Sequence, residues 1–385
     1  MNIHLMYDEK FIDTFISKYT ETHHGIISKY YVMKISKSDE LLFVKNSEVI
    51  PVKFDKKTWI KILEENVNIE NIFLHNFSKN LYSLIDYIPQ KIKIFWIFHG
   101  TEIFQNPLTF KMLDEESESL YPRIYQTKKI IKYLPLTAIR ALLVQREKLR
   151  VVKIRKILSR IDYFCHWNEL DFVYLQGEFP EFKAKLILFG YGSTLINKSP
   201  ALTTIKKGAD KSSGLTNKCI MIGNSSTVTL NHLTILNYIK HFNNDNFIIL
   251  CPLSYGDKEY RQFLINYARI NFPYNFESLV EFIPFDEYQQ KISNVDVLVM
   301  NNIRTQGGGN ISLALLEGKK VYMNPKNTHY QKLKNIGINI FSIDNLLNST
   351  FEEIFTPLSS DQRVKNIELT TIFLNEIANG YYHLP

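Results

Sequence analysis

The chain has 385 residues, 45% of them hydrophobic and 22% charged, and its 46 basic and 39 acidic side chains leave a net charge of +7. Aromatics at 13% and recurring apolar runs exclude wholesale disorder; 15 glycines and no sustained heptad exclude collagen-like and coiled-coil chains. At roughly 100–200 residues per domain, the length suits two or three domains.

The first half alternates apolar strands with amphipathic stretches. Strands are expected over 2–6, 26–33, 71–74, 92–98, 162–166 and 186–189, with helices over 10–19 and 57–66. The strand IKIFWIF runs into His99-Gly100-Thr101-Glu102. A His and a carboxylate at a strand's carboxyl end are candidates for general acid/base work, and Glu102 is equally a candidate helix cap. The acidic run DEESE at 114–118 reads as a solvated helix or loop.

Between 128 and 160 there are eleven Lys/Arg and one acid, Glu147, so this segment carries +10 and the rest of the chain −3. Helical spacing sets Arg146, Arg150, Lys153 and Lys156 on one side and apolar residues on another. Three readings compete: a solvated helix face, a phosphate-backbone contact, or a dock for anionic lipid headgroups or a lipid-phosphate substrate. No nucleic-acid module accompanies the stretch, so nucleic acid is not expected as a partner.

Residues 197–217 are rich in Ser, Thr, Lys, Gly and Pro and read as a linker. Beyond them strands are expected over 218–222, 246–251, 279–283, 295–300, 320–323 and 338–342. Helices are expected over 228–242, 257–270, 285–293, 309–317 and 327–335. This alternation implies βαβ units and parallel sheets. The expected architecture is α/β: a Rossmann-like domain over 1–196, a second over 218–365, and a tail over 366–385 that packs back on the first. Two doubly wound domains facing a central cleft put the default ligand site in that cleft.

The strongest local feature is Asn302-Ile303-Arg304-Thr305-Gln306-Gly307-Gly308-Gly309-Asn310. It follows the apolar strand VDVLVM and opens a helix. Glycines admit close backbone approach, and the helix start offers unpaired N–H groups and a positive dipole end. Together they favour a phosphate site, to which Arg304 could add a charge-assisted bond, over a flexible turn at a sheet edge. A second strand–helix turn, Gly223-Asn224-Ser225-Ser226, reads as a helix cap or a ligand contact.

Several chemistries are absent. There is no G-x-G-x-x-G, since Ser312 and Leu195 stand where the third glycine belongs, no P-loop, no G-x-S-x-G elbow, no H-E-x-x-H and no Asp-x-Asp. The three cysteines, Cys165, Cys219 and Cys251, form no C-x-x-C, which fits a reducing compartment. Asp8 and Glu9 interrupt the start too early for an export signal, and no apolar run reaches the ~18 residues of a membrane span.

Five blocks in order resemble the dTDP-4-acetamidofucose:lipid II 4-acetamidofucosyltransferases, glycosyltransferase family 56. They are FHGTEIF (98–104), IGNSSTVTLNHLTIL (222–236), CPLSYGD (251–257), FIPFDEYQQKISNVDV (282–297) and NIRTQGGGNISLALLEGKKVYMN (302–324). Departures include Glu102 where the family has Asp, His99 in place of Trp, and Thr305 and Gly308 within the glycine loop.

The resemblance implies a GT-B glycosyltransferase with no metal or other cofactor. It implies transfer of a 4-acetamido-4,6-dideoxyhexose or related deoxysugar from a dTDP-sugar to a polyprenyl-diphosphate-linked saccharide. That reaction serves bacterial surface polysaccharide synthesis, of the enterobacterial common antigen or O-antigen type, at the cytoplasmic face of the inner membrane. The donor would lie against Gly223, Asn224, Ser225, Tyr255, Phe285, Arg304, Gln306, Gly307, Gly308, Gly309 and Asn310. If the reaction inverts, Glu102, with His99 in reserve, would take the acceptor proton, and Glu102→Gln would cut turnover with little change in donor affinity; in a retaining reaction Glu102 would position substrate. A nucleotide-sugar epimerase of the same architecture and a non-catalytic sugar-nucleotide module are the rival readings.

Overall fold

The computed structural model describes residues 1–34, 40–53, 55–77, 82, 84–104, 106–126, 133–191, 218–242 and 247–385. The expected linker at 197–217 lies outside the described residues. The chain forms two compact units, each discontinuous in sequence. One comprises Met1–Gln105, Lys148–Ser193 and Leu374–Pro385; the other comprises Asn106–Glu147 and Thr194–Phe373.

The strands of the first unit are β1 (Asn2–Tyr7), β2 (Ser28–Met33), β3 (Val49–Val52), β4 (Asn71–His75), β5 (Lys93–Ile97), β6 (Tyr163–His166) and β7 (Lys185–Leu188). Up to β7 the chain also forms helices α1 (Ile12–Thr22), α2 (Lys56–Glu65), α3 (Thr101–Phe104), α4 (Glu115–Gln126), α5 (Leu136–Leu158) and α6 (Glu169–Glu178). The sheet order is β3-β2-β1-β4-β5-β6-β7, every pair parallel. The order reverses between β1 and β4. The carboxyl ends of those two strands are therefore the topological switch point where such sheets bind ligands.

Local sequence explains these elements. The strands β1, β4 and β5 are buried along almost their whole length, as strands covered on both faces must be. Helix α1 buries Ile12, Phe15, Ile16 and Tyr19, an i, i+3, i+4, i+7 stripe. Strand β3 (VIPV) has no counterpart among the expected strands. It lies at the sheet edge, half-exposed, where Pro51 is tolerated and the apolar alternation is weak. Tyr381 and Leu384, from the chain's last residues, join the core around Phe15, Phe73 and Phe189. The Tyr381 hydroxyl donates to the Tyr191 carbonyl at 2.9 Å.

The second unit's sheet has order β10-β9-β8-β11-β12-β13, again all parallel. Its strands are β8 (Lys218–Ile222), β9 (Phe247–Pro252), β10 (Phe276–Leu279), β11 (Val297–Met300), β12 (Lys320–Met323) and β13 (Phe341–Ser342). Its helices include α7 (His232–Ile239), α8 (Lys258–Asn271), α9 (Phe285–Ser293), α10 (Gly308–Leu316) and α11 (Thr328–Asn335). The switch point here lies between β8 and β11.

Two expectations shift. The helix expected over 228–242 is broken at Asn231, which is left-handed with φ 51° and separates a 3-10 turn at Val228–Leu230 from α7. The edge strand β10 lies three residues before the expected 279–283. FESLVEFI is apolar at both ends, and an edge strand has one neighbour to choose between them.

Asn106–Glu147 knits into the second unit through polar contacts. Asp114 Oδ2 accepts from Thr234 and, at 3.1 Å, from Asn301 Nδ2. The Asp114 backbone N–H donates to Asn231 Oδ1 at 3.1 Å, and Asp114 Oδ1 caps α4 through the Ser117 N–H. The run DEESE thus opens with a structural anchor. Glu147, the lone acid of the basic stretch, is buried and accepts from the Thr109 N–H and hydroxyl at 2.9 and 3.0 Å.

Candidate functional site

In the second unit the glycine loop leaves β11 and opens α10. Gly307 is the N-cap residue, left-handed at φ 70°, and supplies no side-chain cap. The N-cap residue thus offers the first-turn N–H groups of α10 no side-chain acceptor, at the positive end of the helix dipole. A Cβ on Gly309 would meet no atom within 4 Å, and one on Gly308 would meet only His329 at 3.8 Å. Neither has a positive φ. Nothing among the described residues demands glycine at these two positions, so the open space in front of them is the feature to explain.

Polar side chains line the same switch point. Gln306 Nε2 donates to Asn224 Oδ1 at 3.3 Å and to Ser225 Oγ at 3.1 Å. Asn224 Nδ2 donates to the Tyr255 hydroxyl at 2.6 Å, and Tyr255 is 54% exposed. Tyr288, on α9, bonds Asn310, and burial pushes its phenol up. The structure thus gathers Asn224, Ser225, Tyr255, Gln306 and Gly307 into one wall, with Asn310 tied to Tyr288. Gly223 turns left-handed at the end of β8, against His232. Phe285 begins α9 and is partly exposed.

Arg304 is more constrained than its sequence suggests. It is buried, its Nε donates to Thr229 Oγ1 at 3.2 Å and its Nη1 to the Thr305 carbonyl at 3.3 Å. Asn327 holds the loop from below, donating to the carbonyls of Asn302 and Arg304 at 2.8 and 3.0 Å. Thr229, Tyr288 and Asn327 are not among the sequence candidates. Their contacts come from separate elements and leave no local pattern.

In the first unit Glu102 does not fit the base role. It is 2% exposed, and its Oε1 accepts from Trp96 Nε1 at 3.2 Å and from the His99 N–H at 3.0 Å. Burial raises its carboxyl above the usual range. A buried acid that holds two donors ties β5 to the start of α3. Its alternative reading, as a cap, describes it better.

His99 is positioned to act, but neutral. Burial, then the nearby His166, lower it to about 3. Its Nε2 is 2.9 Å from the Tyr191 hydroxyl, and its Nδ1 lies 3.5 Å from Glu9 Oε2. With a neutral imidazole this is not an ion pair. Glu9 was visible in the sequence only as a charge near the start. In the structure it lies two residues past β1, at the switch point, 27% exposed at its side chain.

On α5, Arg146, Lys153 and Lys156 are exposed, and Lys156 pairs with Asp86 at 3.0 Å. Arg150 departs from this group: it is half-buried and its charge faces Tyr82. The exposed face also carries Leu142, Leu149 and Val152, at 54%, 60% and 66% exposure. Among the described residues no helix is long and apolar enough to cross a membrane. No group of three or more His, Cys, Asp or Glu among them has metal-holding geometry.

Solved structures with the same fold align along nearly the whole chain. A sucrose-phosphate synthase from Thermosynechococcus elongatus matches at TM-score 0.63 and 11% identity, covering 100% of this chain and 98% of its own. A glycosyltransferase from Rickettsia africae matches at TM-score 0.58 and 12% identity, covering 99% and 96%. An E. coli trehalose-6-phosphate structure bound with UDP-2-fluoro glucose matches at TM-score 0.58 and 9% identity, covering 100% and 97%. At these identities they establish the GT-B fold alone. No curated protein matches the chain. The family model described as 4-alpha-L-fucosyltransferase, glycosyl transferase group 56, matches residues 149–368. More than half of the chain is matched, and the chain belongs to glycosyl transferase group 56, a GT-B glycosyltransferase.

Proposed function

We propose that the protein transfers a deoxysugar of the 4-acetamido-4,6-dideoxyhexose type from a dTDP-sugar to a polyprenyl-diphosphate-linked saccharide. The observation that carries the donor half is the uncapped start of α10 at its sheet's switch point. Backbone N–H groups there suit a diphosphate. As the sugar leaves, charge grows on the nucleoside diphosphate, and preorganised donors stabilise it without needing a divalent ion. Arg304, locked to Thr229 and Thr305, adds a fixed positive charge beneath the loop. Gln306, Asn224 and Tyr255 are the groups for base or sugar hydroxyls.

Thermal shift against dTDP, UDP, GDP and NAD, each with EDTA, tests the donor half. A ligand that binds only the folded state raises the melting temperature. The expected result is a shift with dTDP that EDTA leaves unchanged, and product from dTDP-4-acetamido-4,6-dideoxygalactose with a polyprenyl-diphosphate-linked disaccharide. A shift with NAD alone would overturn the reading.

The lipid acceptor requires a membrane surface, and α5 supports peripheral docking on anionic lipid rather than on nucleic acid. Leu142, Leu149 and Lys156 follow one another at seven-residue spacing, as do Arg146 and Lys153, so they form adjacent exposed stripes. Apolar residues among cations suit headgroups. Each Lys or Arg near an anionic surface contributes about 1 kcal/mol. Reversing Arg146 and Lys153 to Glu is expected to lower partitioning onto phosphatidylglycerol vesicles by at least about tenfold. Binding to neutral phosphatidylcholine vesicles should be weak for both proteins. Equal sedimentation of variant and parent with anionic vesicles would remove α5 from this role.

A further inference from the structure

A line of buried and half-buried polar side chains in the first unit ends at Glu9. His4 Nδ1 is 3.2 Å from His75 Nε2, His75 Nδ1 is 2.8 Å from the Tyr191 hydroxyl, and that hydroxyl is 2.9 Å from His99 Nε2. His99 Nδ1 then faces Glu9 Oε2 at 3.5 Å. Four of these five residues come from strand ends or the loops after them, and His4 lies within β1.

The chain has two consistent polarities. In one, His4 donates to His75, His75 to Tyr191, Tyr191 to His99, and the His99 N–H points at an ionised Glu9. His4 Nε2, which has no partner among the described residues, is then a bare lone pair. In the other, a protonated Glu9 donates to His99, every bond reverses, and His4 Nε2 becomes a buried N–H without an acceptor. Burying an unmatched donor costs more than leaving a lone pair unused. The arrangement therefore favours ionised Glu9, its proton-accepting form.

The surroundings separate Glu9 from its neighbours. Asp8 is committed to the fold: it accepts from the N–H groups of Leu42, Phe43 and Val44. Glu102 is enclosed. Glu9 keeps access to solvent, and its other oxygen accepts from Asn76 Nδ2 at 3.3 Å. Asn76 sits just past β4 with φ 61°, a left-handed conformation held at the switch point.

We propose that Glu9 is the general base of the transfer, held in place by His99, Tyr191 and His75 as positioning residues. This rests on the glycosyl-transfer reading and commits the reaction to inversion. The acceptor hydroxyl oxygen forms the new bond to the anomeric carbon. The bond from that carbon to the diphosphate breaks, its electron pair leaves on the diphosphate oxygen, and the hydroxyl proton goes to a Glu9 carboxylate oxygen. Burial, then the charges of Glu102 and Asp8, raise Glu9 to about 7 against the Asn76 bond, which lowers it. Tyr7, His99 and Tyr191 also face it. A base must be ionised to act, so kcat/KM should climb with pH and level off above about 7.

The test measures transfer from dTDP-4-acetamido-4,6-dideoxygalactose to a polyprenyl-diphosphate-linked disaccharide in the parent and in Glu9→Gln, Glu9→Ala and Tyr191→Phe. Glu9→Gln is expected to lose about 10²–10⁴-fold in kcat with its dTDP-induced thermal shift intact, as for loss of a general base. The rising limb of the pH profile should vanish. Formate should restore turnover to Glu9→Ala in proportion to its concentration. Tyr191→Phe should lower kcat and move the limb while leaving KM in place. Parent-level transfer by a folded Glu9→Gln, or retention of the anomeric configuration, would overturn the base alone. A parent inactive with every nucleotide sugar would overturn the transfer reading and the base together.

Discussion

Alanine at Gly307 and alanine at Gly309 are expected to separate fold from ligand. Gly307→Ala should destabilise the protein by about 2–4 kcal/mol, combining left-handed strain with overpacking. Gly307 holds φ 70°, and its added Cβ would lie 2.4 Å from Met300 Cε and 3.2 Å from Asn224 Cγ. Met300 ends β11 and Asn224 carries the bond to Tyr255, so relief of the clash disturbs the polar wall as well. Gly309→Ala meets nothing within 4 Å and is expected to hold stability within about 0.5 kcal/mol. Its dTDP affinity should nonetheless fall about tenfold or more, a loss of at least about 1.4 kcal/mol, if the proposed donor site is right and the methyl group enters the diphosphate's place. Urea denaturation and dTDP titration of both variants check the pair. Undiminished affinity in Gly309→Ala would move the diphosphate away from α10.

The contrast shows what a sequence can carry. A glycine run between an apolar strand and a helix is a local pattern, and the loop that opens α10 was legible from it. So were most strands, because strands buried on both faces read as unbroken apolar runs such as VLVM in β11 and KIFWI in β5. Edge strands β3 and β10 escaped or slipped, since half-exposure dilutes that pattern. Asn106–Glu147 shows no shift in composition where it leaves the first unit for the second; polar contacts such as Asp114 to Asn301, 187 positions apart, place it there. Glu9, His75, His99 and Tyr191 are joined only by parallel strand order. Each alone is one polar residue after an apolar strand. Glu102 stood out because it follows His99 closely in sequence, and that nearness is what makes it a local brace.

Glu102 therefore gives the sharpest reversal. The resemblance made Glu102→Gln a loss of turnover; the contacts of Glu102 make it expected to be nearly silent. An amide oxygen in place of Oε1 can still accept from Trp96 Nε1 and the His99 N–H. Burial favours the acid's neutral form, whose shape and acceptor the amide keeps. The sign follows from that direction. A raised carboxyl contributes its stability at low pH and loses it as pH climbs through its folded value, so Glu102→Gln should resist alkaline unfolding better than the parent. Glu102→Leu is the opposite case. It strands two buried donors, expected to cost about 2–4 kcal/mol, and frees the main chain of His99 beside Glu9. Turnover should then fall with stability, and urea denaturation beside the transfer assay reads both. A well-folded Glu102→Gln that no longer transfers sugar would return the proton to Glu102 and reduce Glu9 to a bystander.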